Sequence, residues 1–205
     1  MKDLMFMTKH NTGGWTVEDA TKRRAFMEKI YEDGTGLNCV IQMKDTGAYA
    51  GVAGFRDLNW WNRSAEMGII LHPDYWSKGL ATEIHLLCLL WAFEVAQLHR
   101  IEFKTSVNNI GMNYLCKEVM KANLDGVLRD YFPSIDCTSF RIPTCTESTT
   151  SDSAESPTSS GSDTISKLSV DSIKYESVNI FSILSPEWEV TKTSLLAQMT
   201  KQQRE

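Results

Sequence analysis

The sequence has no Cys-x-x-Cys pair, no apolar run long enough to cross a bilayer, and no basic stripe. Each absence removes a class of function. The five cysteines (Cys39, Cys88, Cys116, Cys137 and Cys145) are odd in number and irregularly spaced. That argues against a disulfide framework and a zinc site, and no metal is expected. The net charge is −5, without the Lys/Arg clustering that a phosphate backbone requires. Nucleic acid is therefore not an expected partner. The N-terminus lacks a basic stretch followed by an apolar core, so it does not read as a signal peptide. The most apolar segment, Ile84 to Phe93, is short and bounded by Glu83 and Glu94, which excludes a membrane span. The expected compartment is reducing and intracellular: the cytoplasm, with the nucleus not excluded.

What remains is ordinary globular composition, 42% hydrophobic and 23% charged over 205 residues. Thr16 before Val17-Glu18-Asp19 reads as a helix start with acids in its first turn. Apolar residues then follow at helical spacing to Tyr31, and Gly34 and Gly36 end the helix. Leu37–Met43, Ala48–Leu58 and Ala65–Leu71 read as an antiparallel meander. A long apolar helix is expected from Leu80 to Gln97. A strand follows over Arg100–Val107, alternating Ile101, Phe103 and Thr105 against Glu102, Lys104 and Ser106. A second helix is expected over Ile110–Lys121. Strand, helix, strand in this order implies a right-handed parallel crossover. The fold class is α/β, a mixed central sheet with flanking helices.

Leu124–Phe132 and Tyr175–Leu184 read as two late strands. Between them, from Thr144 to Ser166, more than half the residues are Ser or Thr. Such a segment buries too little apolar surface to offset its ordering entropy. The expected organisation is one domain over residues 1–205. It carries a disordered low-complexity insertion at 134–172 and a polar tail, in part helical, at 192–205.

The chemistry concentrates in Trp76-Ser77-Lys78-Gly79-Leu80-Ala81-Thr82. This run joins a strand to a helix. The first turn of a helix holds N–H groups without internal partners, at the positive end of the dipole. Gly79 lets a ligand approach the backbone, and Ala81 keeps the next turn small. A diphosphate fits such a site; so does plain packing of small residues.

The wider run, Ser64 through Glu83, resembles the central motif of GNAT acetyltransferases, and within them the RimJ/RimL-like branch that acetylates protein N-termini. Further resemblance follows in order at Leu98-His99-Arg100-Ile101-Glu102, Asn108-Asn109, Leu124 to Phe132, Ile180 to Leu184 and Glu187-Trp188. It implies acetyl-coenzyme A as cosubstrate and a primary amine as acceptor, either a protein N-terminus or a small amine. It implies that Trp76, Ser77 and the amides of Lys78, Gly79, Leu80, Ala81 and Thr82 form the diphosphate loop. The backbone of Ile69, Ile70 and Leu71 would pair with the pantetheine arm, and Asn109 would contact it. Glu66 would be the general base. In many relatives a Tyr on the second helix protonates the departing thiolate. Here Cys116 stands at that position, with Tyr114 nearby.

Bland readings stand beside these. Glu66 could pair with Arg63 or Arg100. Trp60 and Trp61 could line a groove or simply cover the sheet. His85 and Cys88 lie three apart but have no further ligands around them. The sequence also departs from the family. Little patterned chain precedes Thr16, so the N-terminus reads as abbreviated. Ser77 replaces a usual Gly, and Met120-Lys121-Ala122 replaces a usual Gly-Phe helix end. A non-catalytic acyl-coenzyme A-binding module is the alternative reading.

Overall fold

The computed structural model describes residues 16–133 and 175–202. The expected insertion and the segment before Thr16 lie outside these residues. The chain runs through α1 (Val17–Glu32), β1 (Leu37–Gln42), β2 (Tyr49–Asn59) and β3 (Ser64–Leu71). It continues through α2 (Leu80–Leu90), β4 (Arg100–Ser106), α3 (Ile110–Tyr114), β5 (Asn123–Pro133), β6 (Tyr175–Leu184) and α4 (Trp188–Gln202). The six strands form one mixed sheet in the order β1-β2-β3-β4-β6-β5. Among the described residues, only β3 and β4 pair in parallel, which is the crossover that α2 makes.

The period-two pattern of β4 decides its faces. Ile101, Phe103 and Thr105 are buried, while Arg100, Glu102, Lys104 and Ser106 face the other way. On the buried face Phe103 and Ile101 join Met67, Phe55, Leu89, Phe181 and Ile183 in a single core. α2, α3 and α4 cover this face, supplying Leu86, Leu89, Leu115 and Leu195. Helices α2 and α3 each close in a π-helical turn, at Trp91–Val95 and Leu115–Val119. The residue after each turn's cap, Gln97 and Lys121, adopts positive φ, 52° and 57°. A left-handed residue is a common helix exit, usually taken by glycine.

β5 and β6 pair antiparallel out to Pro133 opposite Tyr175, so residues 134–174 join the adjacent ends of a hairpin. Residues 192–202 of the expected polar tail belong to α4, which reaches Gln202. Leu195 is fully buried, and the Thr191 hydroxyl donates to the Met120 carbonyl at 2.8 Å. Trp188 stacks on Phe93, and its indole N–H and the Lys192 ammonium both donate to Glu94. The apolar spacing is sparse enough to read as solvated, but Trp188 and Leu195 are buried in the core, and Met199 packs against it. Among the described residues, no helix is long and apolar enough to cross a membrane.

Candidate functional site

β3 and β4 share three rungs and then separate. Ser64 pairs with Arg100, Ala65 with Ile101 and Glu66 with Glu102. Beyond that, β3 stays paired to β2 as far as Leu71, and β4 to β6 as far as Ser106. Each strand is held on its outer edge, so the opening is built into the sheet and is not fraying. Its inner edges present strand backbone with no strand opposite.

Which backbone groups face the opening follows from antiparallel geometry. The His72 N–H donates to the Ala50 carbonyl at 2.8 Å. In an antiparallel pair the hydrogen-bonded positions alternate, so Ile70 and Gly68 direct their groups at β2. Met67, Ile69 and Leu71 direct theirs into the opening. The Trp76 indole N–H reaches the Leu71 carbonyl at 2.8 Å from that same side. Of the expected residues, Ile69 and Leu71 therefore face the opening and Ile70 does not. Met67 takes its place, and the strand's period of two was the signal that could have found it. The Leu71 carbonyl is already engaged by Trp76.

The loop at the end of β3 has the backbone that its sequence demanded. Ser77 has φ 57° and Gly79 φ 79°. The left-handed region disfavours a side chain by about 1 kcal/mol or more, which Ser77 carries and Gly79 avoids. Gly79 is the N-cap of α2, and the Thr82 N–H donates to its carbonyl at 3.0 Å. Thr82 is thus already inside the helix, its side chain buried. The donors left for a ligand are the amides of Lys78, Gly79, Leu80 and Ala81. The Lys78 ammonium lies over the Tyr75 ring, 5.6 Å from its centroid.

Loop and opening belong to one cleft of about 910 Å³. That size suits a cosubstrate of several hundred daltons. Asn109 and Tyr114 stand on its wall. The Asn109 side-chain oxygen caps α3, accepting from the Met112 N–H at 3.0 Å, so the group it can offer a ligand is its amide nitrogen. Cys116 is elsewhere. It is fully buried in the core beneath α3, and burial pushes its thiol up to about 12. A thiol so placed neither reaches the cleft nor gives up a proton readily. Trp60 and Trp61 also lie away from the cleft; the Trp60 indole is tied to the Gly34 carbonyl at 2.8 Å.

At the point where the strands part lies Glu66, 6% exposed. Its partners are not Arg63 or Arg100, the arginines that the sequence suggested. Arg56 on β2 donates to one carboxylate oxygen, and the Lys104 ammonium on β4 donates to the other at 2.8 Å. The hydrogen bond to Glu66 raises the Lys104 pKa above its usual value, so Lys104 is charged. Arg63 instead donates to the Gln97 carbonyl, and Arg100 bridges Glu102 and Asp125. Among the described residues, no cluster of three His, Cys, Asp or Glu side chains could hold a metal ion.

A chain with this geometry has relatives. A 116-residue stretch is 28% identical to the uncharacterised N-acetyltransferase YoaA of Bacillus subtilis (strain 168), over 57% of this chain and 65% of that protein. The same identity holds over 116 residues for the uncharacterised N-acetyltransferase p20 of Bacillus licheniformis, covering 55% and 65%. The chain thus spans just under two thirds of these relatives. Among solved structures, mutant forms of the spermidine/spermine N-acetyltransferase SpeG from Vibrio cholerae superpose with a TM-score of 0.60. Identity there is 20% over 92% of each chain, a likeness of fold. The acetyltransferase (GNAT) domain model matches residues 2–119, more than half of the sequence. The chain belongs to the GNAT acetyltransferase family.

Proposed function

We propose that this chain transfers an acetyl group from acetyl-coenzyme A to a primary amine. The observation that carries the proposal is a single cleft joining two features. One is a helix start with unpartnered amides; the other is a strand edge, at Met67 and Ile69, with no strand opposite. A diphosphate suits the first and an amide-bearing arm the second. When bound, acetyl-coenzyme A supplies a thioester carbonyl to be attacked.

The residues then have assignable tasks. The amides of Lys78, Gly79, Leu80 and Ala81 hold the diphosphate. The backbone of Met67 and Ile69 aligns the arm, with the Asn109 amide nitrogen beside it. Glu66 takes the proton of the incoming ammonium through a water, since each of its oxygens keeps a lone pair beyond the one its cation uses. Tyr114, on the cleft wall, is the proton donor we assign to the departing thiolate. The demand on the base is small for an α-amine, which is about 10% neutral at pH 7, against well under 0.1% for a lysine.

For the acceptor, we favour an α-amine, as in the RimJ/RimL-like branch, over a polycation. Of the two carboxylates lining the cleft, Glu66 is already paired with Arg56 and Lys104, and Glu176 accepts from the Ser106 hydroxyl. A polyamine would have to displace the two cations at Glu66, with Glu176 as the one cleft carboxylate not paired to a cation among the described residues.

The test is release of free thiol from acetyl-coenzyme A with a peptide library, amino acids and polyamines as acceptors. Release with free-N-terminal peptides is expected. Binding of coenzyme A without release for any amine would favour the non-catalytic module. Gly79→Glu, which sets a Cβ and a carboxylate against the loop, should abolish binding in a calorimetric titration; unchanged affinity would remove the loop from the site.

A further inference from the structure

We propose that Gln202, in the last turn of α4, is a coenzyme-contact residue that closes the outer side of the diphosphate loop. The inference rests on the coenzyme reading above and adds to it a residue far away in sequence. Gln202 lines the same cleft as the loop. Its carboxamide lies flush against Gly79. A Cβ added at Gly79 would meet the Gln202 side-chain oxygen in hard overlap, with Cδ at 2.9 Å and Nε2 at 3.3 Å. Position 79 takes glycine for its φ of 79°, and the Gln202 carboxamide occupies the space beside it.

This placement is not the chance excursion of a loose end. The helix is fixed upstream by buried Trp188, Thr191 and Leu195 and by the Lys192–Glu94 pair. That anchoring aims the final turn at the start of α2. An exposed glutamine at a helix end gains most by pointing into water, yet this one lies against Gly79, the N-cap of α2. A carboxamide suits the position. Its N–H₂ can donate to a phosphate oxygen, and it adds no negative charge beside a diphosphate. Lys201, the preceding residue, lines a second cavity of about 470 Å³ that shares Tyr114 with the cleft. The end of α4 thus lies between the cleft and this second cavity.

The test is calorimetric titration of the full chain with coenzyme A, for wild type, Gln202→Ala and Gln202→Glu, at low and high salt. Gln202→Glu keeps the shape and changes only the charge. It should weaken binding roughly tenfold or more at low salt, by repulsion across a few ångströms, and less at high salt. Gln202→Ala should weaken it by about threefold, the loss of one hydrogen bond on an exposed side chain. Both variants should melt with wild type. Tighter binding by Gln202→Ala would make the side chain a plug and overturn the proposal, as would a Gln202→Glu affinity within twofold of wild type. Failure of the wild type to bind coenzyme A would instead overturn the coenzyme reading itself.

Discussion

The Lys104 ammonium lies 2.8 Å from the Glu66 carboxylate, bridging β4 to β3 just past their last shared rung. With Arg56 on the other oxygen, one buried carboxylate ties three strands together at the apex of the cleft. In the function proposed above, an acceptor amine would meet the thioester beside this pair. The pair therefore couples the shape of the cleft to the charge that serves it.

Glu66→Gln keeps the volume and removes the charge that both cations share. Since Arg56 is half exposed, the stability loss should be about 1–2 kcal/mol and not the larger cost of a fully buried broken pair. The melting temperature should fall by a few degrees. Adding Lys104→Met restores the charge balance and should recover most of the stability. The proton-accepting role predicts a kcat lower by about 10²–10³ in both variants. If the double variant regains the wild-type rate, Glu66 acts only in structure.

Three helix-boundary residues carry left-handed backbone without being glycine: Ser77 in the loop, Gln97 after α2 and Lys121 after α3. Lys121→Gly should raise stability by up to about 1 kcal/mol, because the strain relieved slightly exceeds the entropy added to the unfolded chain. Chemical denaturation should show a higher midpoint at unchanged slope. Ser77→Gly relieves the same strain inside the cleft. It should tighten coenzyme A binding a few-fold if the loop must hold this backbone to bind; weaker binding would mean that Ser77 contributes its hydroxyl.

Much of this was legible because the signals were local. The alternation in β4 announced its two faces, and the Ser77 and Lys121 departures from glycine each mark a residue with positive φ. The loop and the helix that follows it were readable from Gly79 and the apolar run. What the sequence could not reveal depends on chain partners distant in sequence. Glu66 gave no hint that Arg56 and Lys104 would be its partners and not Arg63 or Arg100. The position of Cys116 two residues beyond Tyr114 looked like cleft wall, but the turn of the helix sends it into the core. The C-terminal helix looked polar because a helix anchored by three buried residues needs little more than that.

His85 sets the last prediction, which concerns acid. It is fully buried on α2, packed against Phe103, and burial lowers its pKa to about 4. Its Nδ1 lies 2.7 Å from the Ala81 carbonyl, which can only accept, so Nδ1 carries the proton of the neutral ring. Nε2 is buried with no hydrogen-bond partner, and a second proton would have nowhere to go. The unfolded chain takes up that proton near pH 6.5, whereas the folded chain resists it down to about pH 4. Between these values the unfolded state binds more protons, so stability falls as pH falls. At about 1.4 kcal/mol per pH unit the loss across the window is on the order of 3–4 kcal/mol. His85→Leu removes the titrating group and gives up only a hydrogen bond to a carbonyl that already accepts within the helix. Melting temperatures measured between pH 7 and pH 4.5 should therefore drop less steeply in the variant than in wild type. Parallel curves would show that the acid sensitivity comes from other groups and that His85 finds a partner for its second nitrogen.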